Sequence, residues 1–366
     1  MKFSIERELL LPALQTIAGV VERRQTLPIL ANVLLMVDEQ GLALTATDME
    51  VELQVRLPLS VAAAGATTLP ARKLLDICRT LPEGAVIQLD IDGDRAKVKS
   101  GRSRFTLASL PADEYPSTEA INPTVTLNLP QGTLRQLLDD THFAMAQQDV
   151  RYYLNGLLLE LSAQGLRAVA TDGHRLAMSD AAMAIDVESP LQLIVPRKGV
   201  QELLRLLDNN DESVSLEVSP NHIRLDTGRI QLTSKLIDGR FPDYQRVVPA
   251  PSDNVLSADR EGLRQSLARA SILSNEKYRG IRLMLQANTL RALAHNPEQE
   301  EAEEEIEIEY SGAEMEIGFN VSYLLDALAA INTEKVNIAF TDANSSCLLT
   351  PSTGDSSKYV VMPMRL

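Results

Sequence analysis

"ANVLLMVDEQGLALTATDMEVELQVRL", residues 31 to 57, and "LNGLLLELSAQGLRAVATDGHRLAMSD", residues 154 to 180, are two copies of one pattern. Each gives an apolar strand, a short polar turn, an alternating strand ending Ala-Thr-Asp, and a further strand. The repetition continues outward. "LPARKLLDICRTL" from Leu69 matches "VPRKGVQELLRLL" from Val195, and "GRSRFTLASLPADEYP" ending at Pro116 matches "GRIQLTSKLIDGRFP" ending at Pro242. A third, fainter copy runs from "DREGLRQSLARASILSNEKYRGIRLMLQANTLRALAH" at Asp259 through "FNVSYLLDALAAINTEKVNIAFTD" at Phe319 to "KYVVMPMRL". Such self-similarity marks an array of like units.

Each copy divides in two. The first copy predicts strand 2–6, helix 7–18 and strands near 33–37, 41–47 and 51–57. Strand 67–69, helix 71–80 and strands near 86–92, 95–99 and 104–110 follow. Leu42-Ala43-Leu44-Thr45 and Val86-Ile87-Gln88-Leu89 alternate, so one sheet face is expected to be buried and the other wet. Leu10, Leu14 and Ile17 give the first helix a single apolar stripe to cover a sheet. The expectation is an α+β fold of three repeated domains, 1–120, 128–248 and 249–366, each of two βαβββ units. Joined side by side, these units form an arc with sheets on one side and helices on the other.

At 366 residues with 45% hydrophobic residues, the chain is long enough for several cores. It shows no apolar run of membrane-spanning length and no basic-then-apolar leader, so a cytoplasmic protein is expected. Cys78 and Cys347 have no cysteine near them in sequence, which argues for reduced, buried thiols rather than a disulfide or zinc site. A net charge of −15 argues against simple wrapping by nucleic acid and turns attention to how charge is distributed.

That distribution is uneven. "RAKVKSGRSRF" (95–105) is basic without an acid, and "PEQEEAEEEIEIEY" (297–310) holds eight glutamates and no base. The two runs read either as solvated faces or as the halves of a head-to-tail interface, which closes into a ring when the curvature allows. Arg72, Lys73 and Arg79, then Arg197, Lys198 and Arg205, then Arg260, Arg264 and Arg269 fall on three helices, with Arg23, Arg24 and Arg151 in loops. Arg72-Lys73 and Arg197-Lys198 sit at helix starts, against the helix dipole, in matching repeat positions. They read as used cations or as solvated helix surface.

"ATDGHRLA" (170–177) brings Asp172, His174 and Arg175 together, residue types that also serve proton transfer. Three readings stand: a binding lip on a non-enzymatic ring, an enzyme such as a hydrolase using these three residues, and a monomeric peptide-binding adaptor. The repeat partner "TDMEVE" lacks the histidine. No second His or Cys lies nearby in sequence, and the chain has no Gly-rich phosphate loop or nucleophile elbow. These points favour binding over catalysis, with no metal and no cofactor.

From "MKFSIER" to "YVVMPMRL" the sequence resembles the bacterial sliding-clamp family, the β subunits of DNA polymerase III. The likeness runs in order through "TLPIL" (26–30), "SGRSRF" (100–105), "QDVRYYLNG" (148–156), "ATDGHRLA", "VPRKG" (195–199), "DGRFPDY" (238–244), "HNPEQEEAEE" (295–304) and "YSGAEMEIGFNVSY" (310–323). Gln25 and Gln147 depart from the family pattern.

The resemblance implies a head-to-tail homodimeric ring around duplex DNA, with sheets outside and helices lining a central channel. It acts as the replicative polymerase's processivity factor, without sequence specificity, cofactor or membrane. By matching motif, Arg24, Arg72, Gln148, Tyr152 and Tyr153 touch DNA, with Arg197 and Lys198 as additions. Partners, namely the polymerase catalytic subunit, clamp loader, other polymerases and repair factors, insert a peptide into a cleft between the central and C-terminal domains. That cleft is formed by Leu154, Thr171, Gly173, His174, Arg175, Leu176, Pro242, Arg246, Val247, Val360 and Met362. Asn320, Tyr323 and Ser346 lie nearby, and Pro363, Met364, Arg365 and Leu366 flank it. Phe105 and Leu107 are placed opposite Ile272 and Leu273 at the dimer interface, with Arg102 and Arg104 facing Glu298, Glu300 and Glu304.

Overall fold

The computed structural model describes residues 1–366 except 22–26, 60–62, 117–120, 355 and 366. Arg23, Arg24, Gln25 and Leu366 therefore lie outside the described residues. The helices are α1 (Arg7–Ile17), α2 (Ala71–Thr80), α3 (Gln131–Asp139), α4 (Arg197–Leu206), α5 (Arg260–Ala270) and α6 (Val321–Ala330). Two compact units contain them, Met1–Gly132 with Gln201–Leu236, and Thr133–Val200 with Ile237–Leu366.

The first unit holds an eight-stranded antiparallel sheet in the order Gly65–Pro70, Asn32–Asp38, Gly41–Thr47, Val51–Leu57, Ile230–Lys235, His222–Asp226, Ser213–Val218, Val125–Pro130. It also holds a four-stranded sheet, Lys2–Glu6, Val86–Asp92, Arg95–Ser100, Ser103–Ala108. The second unit repeats the design. Its eight-stranded sheet runs Leu191–Pro196, Gly156–Ser162, Gly165–Thr171, Arg175–Ala182, Ser357–Val361, Cys347–Pro351, Lys335–Ala339, Val255–Asp259. Its four-stranded sheet runs Glu301–Glu307, Thr289–His295, Gly280–Gln286, Met315–Asn320.

Each eight-stranded sheet is two half-repeats joined edge to edge. In the first, Leu53 pairs with Leu232 and Val51 with Ser234. In the second, Ala177 pairs with Tyr359 and Arg175 with Val361. The joint strands occupy the same repeat positions in both cases. The four-stranded sheets end at the strands of the same two kinds, Ser103–Ala108 and Glu301–Glu307, whose outer edges carry no partner strand among the described residues.

Helix packing follows the sequence pattern. Leu10, Ala13, Leu14 and Ile17 form the buried stripe of α1. A recurrent tie fixes the paired helices. Arg7 at the start of α1 donates Nε to the Cys78 carbonyl in α2 (3.0 Å). Arg260 at the start of α5 donates Nη1 to the Leu328 carbonyl in α6 and Nε to that of Thr333 (3.2 Å each). Gln131 at the start of α3 reaches Asn210 (2.7 Å). Late carbonyls of a helix lack intrahelical donors, so a cation there is favourable.

One expectation fails locally. The strand Gly41–Thr47 is buried at every position rather than on one face. Its outward residues are short and its neighbours long. Ala43 lies between Met36 and Arg56, and Thr45 accepts a hydrogen bond from Gln54 Nε2 at 3.1 Å. Cys78 and Cys347 are buried and unbonded, and burial pushes both thiols up to about 12.

Candidate functional site

The turn at Thr171–Arg175 has a close twin at Thr47–Val51. Thr171 Oγ1 accepts from Gly173 N (3.1 Å) and donates to the Arg175 carbonyl (2.6 Å); Thr47 Oγ1 does the same with Met49 N and the Val51 carbonyl (3.0 Å each). Asp172 Oδ1 accepts from the backbone of His174 (2.8 Å) and Arg175 (3.0 Å), as Asp48 Oδ1 does from Glu50 (2.9 Å) and Val51 (2.7 Å). Both turns take a left-handed residue, Gly173 at φ 89° and Met49 at φ 77°. The Ala-Thr-Asp signature is thus a hairpin device, and Asp172 is committed to it.

Arg175 is the specialised part. Its Nε meets Asp172 Oδ2 at 3.1 Å, Nη1 meets Asp326 Oδ2 on α6 at 2.5 Å, and Nη2 donates to the Phe143 carbonyl at 2.8 Å. The guanidinium stacks between Tyr323 (4.6 Å) and Phe143 (5.4 Å). Its side chain is only 13% exposed. Each of the three guanidinium nitrogens is therefore engaged, and Arg175 ties the second repeat to the third. His174 is exposed, and its carbonyl accepts from Met362 N at 2.9 Å, holding the C-terminal segment beside the turn. Met364 N donates to the Gly318 carbonyl at 2.8 Å. Asn320 caps α6, its Oδ1 accepting from Ser322 N at 2.9 Å.

Beside this lip lies an apolar cluster: Ala146, Leu154, Leu158, Val169, Leu176, Met178, Ile194, Phe241, Tyr244 and Val360. Tyr153, Ile237, Val247, Val248 and Leu348 pack against it. Two cross-strand rows make its floor, Ile194–Leu158–Val169–Met178 and, across the joint, Leu176–Val360–Leu348. Tyr244 is anchored from behind, where Arg167 Nη1 donates to its hydroxyl (3.2 Å) and Arg167 is held by Asp180 (2.5 and 3.2 Å).

The structure thus gathers Leu154, Thr171, Gly173, His174, Arg175, Leu176, Val247, Tyr323, Val360 and Met362 into one region. Pro363 and Met364 are half-buried and Arg365 is exposed; Ser346 is half-buried beside Cys347, which pairs with Val361. Pro242 is exposed, and Arg246 is exposed with an ion pair to Asp243 at 2.8 Å. Sequence reasoning missed Val169, Met178, Phe241 and Tyr244. Met178 was within reach, two positions beyond Leu176 on the same strand face. The partners Phe143 and Asp326 left no local signal.

The residues singled out for DNA fall in two groups. Arg72 and Lys73 are exposed on the first turn of α2, and Gln148 and Tyr152 are exposed in the loop before Gly156. Tyr153 is half-buried against the cluster. Arg197, by contrast, donates Nη2 to the carbonyls of Met145 (2.6 Å) and Ala146 (3.2 Å), so it shapes the loop carrying Gln148. Burial and the neighbouring Arg175 lower its pKa. Lys198 is half-buried beside it. Arg151 is gripped by Asp149, whose carboxyl that guanidinium holds down to about 2, and also donates to the Asp172 carbonyl (3.2 Å).

At the open edges, Arg102 and Arg104 are exposed, Phe105 is half-buried and Leu107 is buried. Ile272 is 74% exposed and Leu273 half-buried in the turn after α5. Glu298 is exposed, Glu300 bonds Asn296 (2.7 Å), and Glu304 is paired with Arg269 on α5 (2.6 Å), which lowers its carboxyl pKa. Among the described residues no group of three or more His, Cys, Asp or Glu is placed to hold a metal ion.

Models of three domains of one family match consecutive parts of the chain. They are the DNA polymerase III beta subunit N-terminal domain over residues 1–119, its central domain over 128–243 and its C-terminal domain over 245–365. The chain belongs to the DNA polymerase III beta subunit family. It is 56% identical to the beta sliding clamp of Pseudomonas putida and 52% identical to that of Escherichia coli, each over 100% of both chains. A crystal structure of the Pseudomonas aeruginosa sliding clamp with griselimycin bound is similar at TM-score 0.97 and 54% identity, over 100% of both chains. Membership in the beta subunit family accounts for the three-domain α+β architecture and the length of the repeat.

Proposed function

We propose that the chain is the processivity factor of a replicative DNA polymerase, a homodimeric ring that encircles duplex DNA and slides on it. The observation that carries the ring is the repeat equivalence of closed joints and open edges. Val51–Leu57 joins Ile230–Lys235, Arg175–Ala182 joins Ser357–Val361, and the third pair of equivalent strands, Glu301–Glu307 and Ser103–Ala108, is left without a partner strand among the described residues, one in each unit. Joining the last two between copies gives a heterologous, closing interface and removes the exposed edges.

Extending the register of the internal joints sets Phe105 opposite Ala302, Arg104 opposite Glu303 and Arg102 opposite Glu305 of the other copy. Phe105 then takes the place held by Tyr359 and Leu232, which are 1% and 0% exposed in their joints. Ile272 takes the place of Phe143, which stacks on Tyr359 with ring centroids 6.0 Å apart. Apolar contact holds the ring and the opposed charges orient it.

The apolar cluster beside the 171–175 turn is the docking site for a peptide of polymerase, clamp loader or repair factor. The half-buried Met362 and Met364 at its rim repack to accept different sequences. Arg72, Gln148, Tyr152, Tyr153 and Lys198 meet phosphates without reading bases, while Arg197 supports the loop that carries Gln148. Family likeness adds Arg24, which lies outside the described residues, to these phosphate contacts. The protein is non-catalytic and works in the cytosol. Asp172 and Arg175 are spent on structure, and the nearby Asp149 is committed to Arg151, which argues against an enzymatic role for His174.

The test is topological. The dimer is loaded on nicked circular plasmid with a compatible clamp loader, washed at high salt, and the DNA is then linearised. Retention on circles with loss from cut ends supports the ring. Retention after linearisation overturns it, because the protein then grips DNA through a site.

A further inference from the structure

We infer that the turn Ser274–Arg279 of the third repeat is a further contact for the phosphate backbone of duplex DNA, equivalent to the loop that carries Gln148, Tyr152 and Tyr153. The inference rests on the reading of that loop given above. Both segments occupy the same place in their repeats. One follows α3 and the short helical turn His142–Ala144 and leads into the strand Gly156–Ser162; the other follows α5 and the turn Ser271–Leu273 and leads into Gly280–Gln286.

The two are built alike. Asp149 Oδ1 accepts from Arg151 N at 2.8 Å, and Asn275 Oδ1 accepts from Lys277 N at 2.9 Å. Each side-chain oxygen fixes a basic residue followed by a tyrosine. Both tyrosines are left in water, Tyr152 at 57% exposure and Tyr278 at 56%. An aromatic ring exposed to that degree contributes little to folding, and the same exposure recurs in both loops.

The third copy differs in one respect that favours an anion. Arg151 is consumed by Asp149, whereas the residue in that place, Asn275, is neutral. The Lys277 ammonium lies over the Tyr278 ring, 5.2 Å from its centroid, and no described carboxylate is within ion-pairing distance of it. A cation on an aromatic face in water is worth about 0.5–1 kcal/mol, too little to resist exchange for a phosphate oxygen. The phenol hydroxyl supplies a second donor.

The turn is also held in place. Arg279 sits in the left-handed region at φ 52°, its N donates to the Asn275 carbonyl (2.8 Å), and Nη1 donates to the Ser271 carbonyl (3.2 Å). A non-glycine residue there is strained, and such strain persists where surrounding structure fixes it. Two features limit the contact. The turn is shorter than its counterpart, and exposed Glu276 sets an acid beside Lys277.

The experiment measures binding of the intact dimer to a fluorescent primed duplex by anisotropy across a salt series. Lys277→Ala and Tyr278→Ala are expected to weaken binding severalfold, and Lys277→Ala to flatten the log–log salt slope by about one per protomer. Glu276→Gln is expected to tighten binding. Dimerisation and binding of a polymerase-derived peptide stay unchanged. Tyr152→Ala is the control. If it weakens binding while the third-repeat variants do not, this inference alone fails. If none of the variants weakens binding, the reading of the Tyr152 loop fails with it. Loss of peptide binding in Lys277→Ala or Tyr278→Ala would instead assign the turn to a protein partner and overturn the inference.

Discussion

Ile272→Ala isolates the closing joint from the fold, because Ile272 is 74% exposed in the protomer. The change removes three carbons, worth about 0.8 kcal/mol each when fully buried, or roughly 2.4 kcal/mol in all. Scaled by the fraction now in water, the loss is about 1.8 kcal/mol per joint. A ring has two such joints, so dimerisation weakens by about 3.5 kcal/mol, on the order of a few hundredfold in Kd. A dilution series followed by sedimentation velocity or mass photometry reads the midpoint directly. Thermal unfolding at high protein concentration checks that the protomer is intact. An unshifted dimer midpoint with an intact fold refutes the placement of Ile272 and, with it, the register extended from the internal joints.

Arg104→Glu is expected to weaken the dimer further, and adding Glu303→Arg to restore part of it; absence of rescue in the double variant contradicts the pairing. Gly173→Ala sets a Cβ 3.0 Å from the Arg151 guanidinium at φ 89°, so a stability loss of about 1 kcal/mol and weaker peptide binding are expected by calorimetry. Asp140 is buried, and burial raises its pKa despite hydrogen bonds from Ser179 (2.7 Å) and Gln136 (2.6 Å). A carboxyl whose folded pKa is raised loses its stabilising contribution as pH rises, so ionisation at neutral pH costs stability. Asp140→Asn should therefore gain in melting temperature over the parent as pH rises above the ordinary carboxylate value of 3.8, and a pH-independent difference would contradict that sign. His174→Ala should reduce peptide affinity and nothing else; any turnover lost with it would revive the enzymatic reading.

Much of the architecture was legible because each half-repeat carries its own period. The strand at 2–6, the strand at 51–57 and the helix at 71–80 fall where alternation and spacing put them. Two kinds of information were not local. The joints pair residues far apart in sequence, such as Leu53 with Leu232 and Leu176 with Val360, and alternation specifies a face rather than a partner. The second kind is the use of charge. Arg197, Arg260 and Arg269 read alike as helix cations, yet the first two donate to backbone carbonyls and the third pairs with Glu304. A guanidinium reaches several ångströms from its backbone, so spacing along a helix leaves its destination open.

The shared strand design of the joints bears on how a ring of two such chains opens. Each internal joint is backed by continuous polypeptide, so its two edges remain at high effective concentration after any local break and rejoin at once. A joint between copies has no such tether of its own. Its edges are kept near each other only by the opposite joint, which stays shut. Opening the ring to admit DNA therefore disrupts one seam out of two, and closing it again is a unimolecular step that does not depend on protein concentration.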